Sequence, residues 1–166
     1  MTALYWTLLV VALQRLAELA WAGRNTARLR RLGAIEVDAG GYPFFVLLHV
    51  GWLICLALSV PADTPPSWPL LGIFVLLQFG RLWVMLSLGQ WWTTRILTLP
   101  AAPLVRTGPF RWLRHPNYAL VIAELAVLPI AFGAVAVALS FSALNLMLVL
   151  RRVHIEDRAL APRRGL

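Results

Sequence analysis

The sequence predicts an all-α integral membrane protein, a bundle of five transmembrane helices of which the last two form a helical hairpin. Three observations predict this class. Of the 166 residues, 60% are hydrophobic and only 13% are charged, whereas a soluble domain has about 25% charged residues. The mean hydropathy is +0.76. Several apolar stretches also reach about 20 residues, the length of a helix that crosses a bilayer. We therefore expect a single membrane domain over residues 1–166.

The first three spans are predicted at residues 2–22, 42–60 and 70–88. After the first span, the Arg-rich segment from Arg24 to Leu32 is expected to form a short helix that lies on the membrane surface and ends at Gly33. Pro43 suits the first turn of the second helix. A Pro-rich turn-forming loop at residues 61–69 then leads into the third span.

The last apolar block, residues 117–150, is too long for one span and too short for two spans with a loop between them. Pro129 and Gly133 interrupt it near its middle. Two helices at residues 117–132 and 134–151, joined by a tight apolar turn, account for the block. At 1.5 Å per residue each arm would be about 25 Å long, enough to cross most or all of the hydrocarbon core.

The arginines predict the orientation of the bundle. Because positively charged loops stay in the cytoplasm, we expect an outer N-terminus and a cytoplasmic C-terminus. The lack of Lys and the abundance of Arg, Ala and Leu suggest a GC-rich bacterial genome, and hence the bacterial cytoplasmic membrane. Of the 15 arginines, those expected on the cytoplasmic side are Arg24, Arg28, Arg30, Arg31, Arg95, Arg106, Arg111, Arg114, Arg151, Arg152, Arg158, Arg163 and Arg164.

Composition also argues against two kinds of partner. The net charge of +8 would suggest nucleic acid in a soluble protein. Here the arginines lie between and after the spans, and no basic strand or recognition helix accompanies them, so we expect no nucleic-acid partner. The chain has one cysteine, Cys55, in an apolar run, so the sequence predicts neither a disulfide framework nor a metal site.

Polar residues are concentrated at the two ends of the predicted hairpin. The segment R-H-P-N-Y opens it and R-R-V-H-I-E-D closes it. Since the chain runs out and back by about 17 residues, Tyr118 and Glu156 end at the same depth, and His115 and Arg152 can join them in one site at the cytoplasmic boundary. The alternative is structural: arginines there set topology, and Arg152 and Glu156, four apart on a helix, form a surface salt bridge.

The stretch L-V-R-T-G-P-F-R-W-L-R-H-P-N-Y, followed by a hairpin and then E-D-R-A-L, resembles the isoprenylcysteine carboxyl methyltransferase family. This family belongs to a wider group of membrane methyltransferases that includes the phospholipid N-methyltransferases. The resemblance implies a helical membrane bundle that binds S-adenosylmethionine at its cytoplasmic face through residues 102–160. The chain departs from the family at Phe110, where Tyr is usual, and at Ala119, where Gly is common.

The resemblance also implies roles for single residues. Arg152 matches the arginine assigned to the reacting group of the substrate. Glu156 matches the acidic residue near the amino-acid end of the cofactor, where a carboxylate suits an ammonium. The other residues matched to cofactor binding are Ala102, Pro103, Leu104, Val105, His115, Pro116, Asn117 and Tyr118.

Charged residues inside the predicted spans are costly and therefore candidates for function. Arg15 and Glu18, three residues apart, are expected to pair with each other. Glu124 could pair with Arg81 and brace the bundle, or could face the polar head of the acceptor as a base or hydrogen-bond acceptor; we count it with Arg152 as a candidate catalytic residue. Interhelical hydrogen bonds are expected from Gln78, His49, Gln90 and Asn145.

The predicted function is S-adenosylmethionine-dependent methyl transfer to a lipophilic acceptor that enters from the bilayer. O-methylation of a carboxylate or of an enolic or phenolic hydroxyl is favoured. The small bacterial members of the family suggest a long-chain polyketide, such as an alkylpyrone or alkylresorcinol, and a prenyl-type carboxylate is a further candidate. The alternatives are phospholipid N-methylation, and a non-catalytic membrane subunit or small transporter that uses Arg81 and Glu124.

Overall fold

Five α-helices and a small sheet form the part of the chain that the computed structural model describes, residues 2–100 and 102–163. The helices are α1 (Ala3–Arg31), α2 (Tyr42–Ser59), α3 (Trp68–Leu88), α4 (Pro116–Ala131) and α5 (Val135–Leu160). The strands are β1 (Ile35–Val37) and β2 (Ile96–Thr98).

Four of these helices, α1, α2, α3 and α5, are long and apolar enough to cross a membrane. The remaining helix, α4, is a shorter apolar helix of 16 residues, about 24 Å long at the usual rise. Large apolar side chains such as Leu47 and Leu58 are exposed on the outside of the bundle, whereas Leu8, Trp52 and Leu125 pack in its core. The predicted all-α membrane bundle of five helices is confirmed.

The first helix is longer than predicted. It continues without a break to Arg31, so the expected separate surface helix at residues 24–32 is wrong. Ala, Leu and Arg in this segment favour helix, and the amide of Asn25 donates hydrogen bonds to the carbonyls of Gly89 and Trp92 at 3.0 and 2.9 Å. These bonds hold the extension against the end of α3. The helix stops where predicted, at Gly33, whose φ of +90° suits glycine.

A two-stranded antiparallel sheet joins the segment after α1 to the segment after α3. β1 pairs with β2, with Glu36 opposite Leu97. Burial would raise the pKa of Glu36, but hydrogen bonds from Arg95 and Arg30 lower it overall. After β1, Asp38 adopts a left-handed conformation with φ of +64° and accepts two hydrogen bonds from Arg151 at 2.6 and 2.7 Å. The sheet is thereby tied to α5.

The hairpin formed by α4 and α5 turns over residues 132–134, where Gly133 has a φ of +73°. The backbone amide of Ser67 donates a hydrogen bond to the carbonyl of Ala131 at 2.7 Å, which anchors the loop before α3 to this turn. Helix α5 continues to Leu160, nine residues past the predicted boundary. Its charged end is therefore helical, and residues four apart there share one face.

Candidate functional site

A cavity of about 830 Å³ lies where the two charged ends of the hairpin meet β2 and the facing sides of α1, α2 and α3. Nine of the eleven residues predicted for the site line this cavity: Pro103, Leu104, Val105, His115, Pro116, Asn117, Tyr118, Arg152 and Glu156. The other two do not line it. Ala102 is buried next to them in the chain, and Glu124 is fully buried deeper in the bundle.

The hairpin brings the start of α4 against the end of α5, as its length predicts. The hydroxyl of Tyr118 donates to the Glu156 carboxylate at 2.5 Å. The imidazole of His115 lies between two carboxylates, with Nδ1 3.5 Å from Glu156 and Nε2 3.1 Å from Asp157. The rings of His115 and Tyr118 stack at 5.4 Å. One edge of the cavity is therefore acidic and rigidly cross-linked.

Arg152 connects this acidic edge to the rest of the cavity wall. Its Nε donates to the hydroxyl of Tyr118 at 2.9 Å, and its Nη2 donates to the carbonyl of Thr94 at 2.8 Å. The guanidinium carbon lies 5.0 Å from the centroid of the Phe45 ring, a cation–π arrangement. Only 9% of Arg152 is exposed, so it is a buried wall residue rather than half of a surface salt bridge.

Two acidic neighbours favour the protonated form of His115. The hydrogen bond with Glu156, supported by Asp157, raises the pKa of His115 above its ordinary value of 6.5 although burial opposes the shift. A histidine whose pKa is raised by folding stabilises the folded state fully below the ordinary pKa, and this stabilisation is lost as the pH rises through the folded pKa.

We expect the stability of the protein to depend on pH through His115. The melting temperature of wild type should exceed that of His115→Gln by more at about pH 6 than at about pH 9, because imidazolium–carboxylate pairing is lost at high pH. Thermal unfolding in detergent at both pH values measures this. His154→Gln, at an exposed position of α5, is the control, and an equal deficit of His115→Gln at both pH values would contradict the expectation.

The charged residues inside the bundle form one network instead of two separate pairs. The two predicted pairs are present: Arg15 contacts Glu18 at 2.8 Å and Arg81 contacts Glu124 at 3.4 Å. In addition, Arg15 contacts Glu124 at 2.6 Å and Arg81 contacts Glu18 at 2.7 Å. Gln78 donates to Glu124 at 3.3 Å. Because Glu124 is enclosed by these partners and does not line the cavity, its placement favours the bracing alternative over a catalytic one.

Two of the four expected interhelical hydrogen bonds are wrong. Gln78 does connect helices, and Gln90 accepts a hydrogen bond from Arg28. His49 instead bonds within its own helix, with Nδ1 2.8 Å from the carbonyl of Phe45. Both amide atoms of Asn145 are buried without a hydrogen-bond partner in the part of the chain that the structure describes. A polar residue in a span indicates burial, but its partner depends on how each helix is rotated.

Two residues at the site were missed by sequence reasoning, one beside the cavity and one in its wall. Asp157 is the second carboxylate on His115, and the E-D pair was a signal that could have found it. Arg95 also lines the cavity, where it donates to Glu36 at 2.6 Å and lies 4.2 Å from the centroid of the Tyr42 ring. No sequence signal links Arg95 to the site, because the sheet that positions it forms between segments about 60 residues apart.

Comparison with known proteins assigns the chain to a family. Residues 70–162 match the profile of the Isoprenylcysteine carboxyl methyltransferase (ICMT) family. The chain is also 35% identical over 162 residues to "Uncharacterized protein YpbQ" of Bacillus subtilis (strain 168), an alignment that covers 95% of this chain and 96% of the relative. No solved structure matches. The resemblance noted in the sequence is confirmed, and the chain belongs to the isoprenylcysteine carboxyl methyltransferase family, whose members are membrane methyltransferases.

Proposed function

We propose that this protein is an S-adenosylmethionine-dependent methyltransferase that methylates an oxygen atom of a lipophilic acceptor at the cytoplasmic face of a bacterial membrane. One observation carries the proposal: a single cavity contains the acidic edge built by both ends of the hairpin and also reaches the outer surface of the bundle. Arg95, Arg106 and Arg114 lie in its wall. These arginines support an opening of the cavity on the cytoplasmic side of the membrane, because positively charged segments of membrane proteins stay on that side.

The wall residues have the chemistry that the cofactor requires. Its ammonium and sulfonium groups are cationic and suit the carboxylate of Glu156, which lines the cavity and has Asp157 on the other side of His115. Asn117 lines the cavity, and the side-chain oxygen of an asparagine can accept a bond from the adenine amino group or the ammonium. Leu104 and Val105 offer apolar contact. A volume of about 830 Å³ is at the upper end of ligand pockets, with room for an acceptor head group.

The acceptor has a lateral route into the cavity. Leu16 on α1 and Val50 on α2 both line the cavity and are exposed on the outside of the bundle. Because these helices are apolar and long enough to cross a membrane, an amphiphile can keep its chain in lipid while its head group enters between them. This favours the long-chain alkylpyrone or alkylresorcinol class of acceptor, and a prenyl-type carboxylate enters by the same route.

We assign catalysis in this site to the positioning of the methyl donor and the acceptor. S-adenosylmethionine supplies an electrophilic methyl group when bound, so no protein nucleophile is needed. A buried guanidinium suits an acceptor oxygen because it stays charged and directs its hydrogen bonds. Arg152 is held for this task by Thr94 and Phe45. The wall holds the acceptor near the methyl donor, and such positioning is a large part of the rate enhancement in transfer reactions.

The cofactor site is tested by binding. Purified wild type should bind S-adenosylmethionine and S-adenosylhomocysteine with micromolar affinity in calorimetry, and Glu156→Ala should bind neither detectably, because the variant removes the carboxylate that joins Tyr118 and His115. His154→Ala, two residues earlier on α5 and exposed, should bind as wild type does. A folded wild type without affinity, retested in lipid nanodiscs, would overturn the proposal and favour the non-catalytic alternative.

The acceptor class is tested by labelled methyl transfer. Purified protein with methyl-labelled S-adenosylmethionine is offered pentadecylresorcinol, palmitate, a prenylcysteine and phosphatidylethanolamine in nanodiscs. Label in the resorcinol methyl ether is the expected result. Label in the amine of the phospholipid would favour N-methylation in place of the proposed reaction.

A further inference from the structure

The inner part of the cavity contains an ionisable side chain to which the family motifs assign no role. His49 lies midway along α2 and lines the cavity. Its Nδ1 is 2.8 Å from the carbonyl oxygen of Phe45. Since a carbonyl can only accept, Nδ1 carries the hydrogen, and in the neutral ring Nε2 is therefore a hydrogen-bond acceptor and a base. Nε2 has no hydrogen-bond partner among the described residues.

The charged groups that share this wall come from neighbouring helices. Arg15 and Glu18 on α1 and Arg81 on α3 line the same cavity as His49. A base beside two arginines in one wall suits a group that gives up a proton and becomes negative, because a nearby cation stabilises the resulting anion.

His49 is one helical turn from Phe45, whose ring contacts the arginine assigned to the acceptor oxygen. The guanidinium of Arg152 lies over the ring of Phe45, and Phe45 and His49 are four residues apart on α2. Residues with this spacing are adjacent on one helix face and differ in depth by about 6 Å. An acceptor head group that reaches Arg152 from the bilayer therefore passes His49.

We propose that His49 is the proton acceptor for an enolic or phenolic hydroxyl of the acceptor. This inference rests on the proposed function. As the hydroxyl oxygen bonds to the methyl carbon, the bond from that carbon to sulfur breaks and its electron pair stays on sulfur, while the hydroxyl proton passes to Nε2 of His49. The products are a methyl ether, a thioether and an imidazolium, so one positive charge is present before and after the step.

This role distinguishes two acceptor classes. A carboxylate is already ionised at neutral pH and needs no base, whereas the hydroxyl of a resorcinol is largely protonated and reacts far better when its proton is removed. A base in the acceptor path therefore matches a hydroxyl acceptor. The loss of methyl-transfer rate on replacing His49 should become smaller as the hydroxyl of the acceptor becomes more acidic.

The test compares wild type with His49→Gln, which can accept a hydrogen bond but cannot take up the proton. Leu47→Ala is the control, since Leu47 is exposed on the outer side of α2. Methyl transfer to pentadecylresorcinol, to pentadecyl nitrophenol and to palmitate is measured for each. We expect His49→Gln to methylate the resorcinol about 100-fold more slowly than wild type does. The rates with the other two acceptors should fall less than about threefold, and the variant should bind S-adenosylmethionine as wild type does.

A second readout needs no methyl donor. Nitrophenol changes its visible absorption when it ionises, so its titration can be followed while it is bound to the protein. The bound nitrophenol should ionise at a pH about one unit lower on wild type than on His49→Gln, because the proton that passes to Nε2 leaves an imidazolium beside the phenolate, and this opposite charge stabilises the ionised form.

The outcomes separate this inference from the function on which it rests. Three results would overturn the role of His49 without affecting the proposed methyltransferase activity. His49→Gln could lose methyl-transfer rate equally with all three acceptors, it could lose no rate with any of them, or the ionisation of bound nitrophenol could be unchanged. A wild type that binds the cofactor but methylates neither hydroxyl acceptor would overturn the inference and the proposed acceptor class together.

Discussion

Arg152→Ala is expected to lower methyl transfer by about 100-fold to 1,000-fold while the affinity for S-adenosylmethionine changes by only a few fold. The guanidinium lies in the cavity wall and is held by Tyr118, Thr94 and Phe45. Removing it leaves the acceptor oxygen without a charged and directed hydrogen-bond donor. The carboxylate of Glu156 keeps its bonds to Tyr118 and His115, so the cofactor edge survives.

Single-turnover rates and calorimetry on the same preparation separate these effects. Arg151→Ala is the matched control, because Arg151 is adjacent in sequence but exposed and paired with Asp38 outside the cavity. Arg152→Lys should recover part of the rate, since lysine keeps the charge and loses the planar arrangement of donors. If Arg152→Ala lost cofactor binding and turnover to the same degree, Arg152 would belong to the cofactor site and not to the acceptor.

Glu124→Ala is expected to destabilise the protein by about 3–5 kcal/mol, because it leaves the arginines of a buried network with one carboxylate fewer. Glu124 is fully buried and contacts Arg15 at 2.6 Å and Arg81 at 3.4 Å. Four charges that sum to zero in the native network would become a net positive charge inside the bundle. Unfolding in detergent by heat or by denaturant gives the free-energy difference.

A double variant sharpens this test. Glu124→Leu combined with Arg81→Met removes one charge of each sign and leaves Arg15 paired with Glu18 at 2.8 Å. The double variant should therefore be more stable than Glu124→Leu alone, a non-additive result typical of residues in one network. A small loss of stability in Glu124→Ala, combined with a large loss of methyl transfer, would contradict bracing and support a catalytic role for Glu124.

The hairpin shows how much of the site can be predicted from a single sequence. The length of the apolar block, its interruption at Pro129 and Gly133, and the rise of a helix predicted that Tyr118 and Glu156 would meet, and their side chains are 2.5 Å apart. That argument uses only distances along the chain. The expected surface helix after α1 was wrong because the local sequence does not show where this segment packs. The segment continues α1, and Asn25 holds it against residues more than 60 positions away.

The sequence by itself therefore determined the membrane class, the five helices, the hairpin and the residues that gather at its open end. Hydropathy, breaker residues and helix rise act over neighbouring positions and can be counted along the chain. Only the tertiary structure decided that Arg15, Glu18, Arg81 and Glu124 form one network and that His49 lines the cavity. In a membrane, lipid-facing and core-facing side chains are both apolar, so the pattern of a helix does not specify its rotation, and its polar contacts are settled when the helices pack.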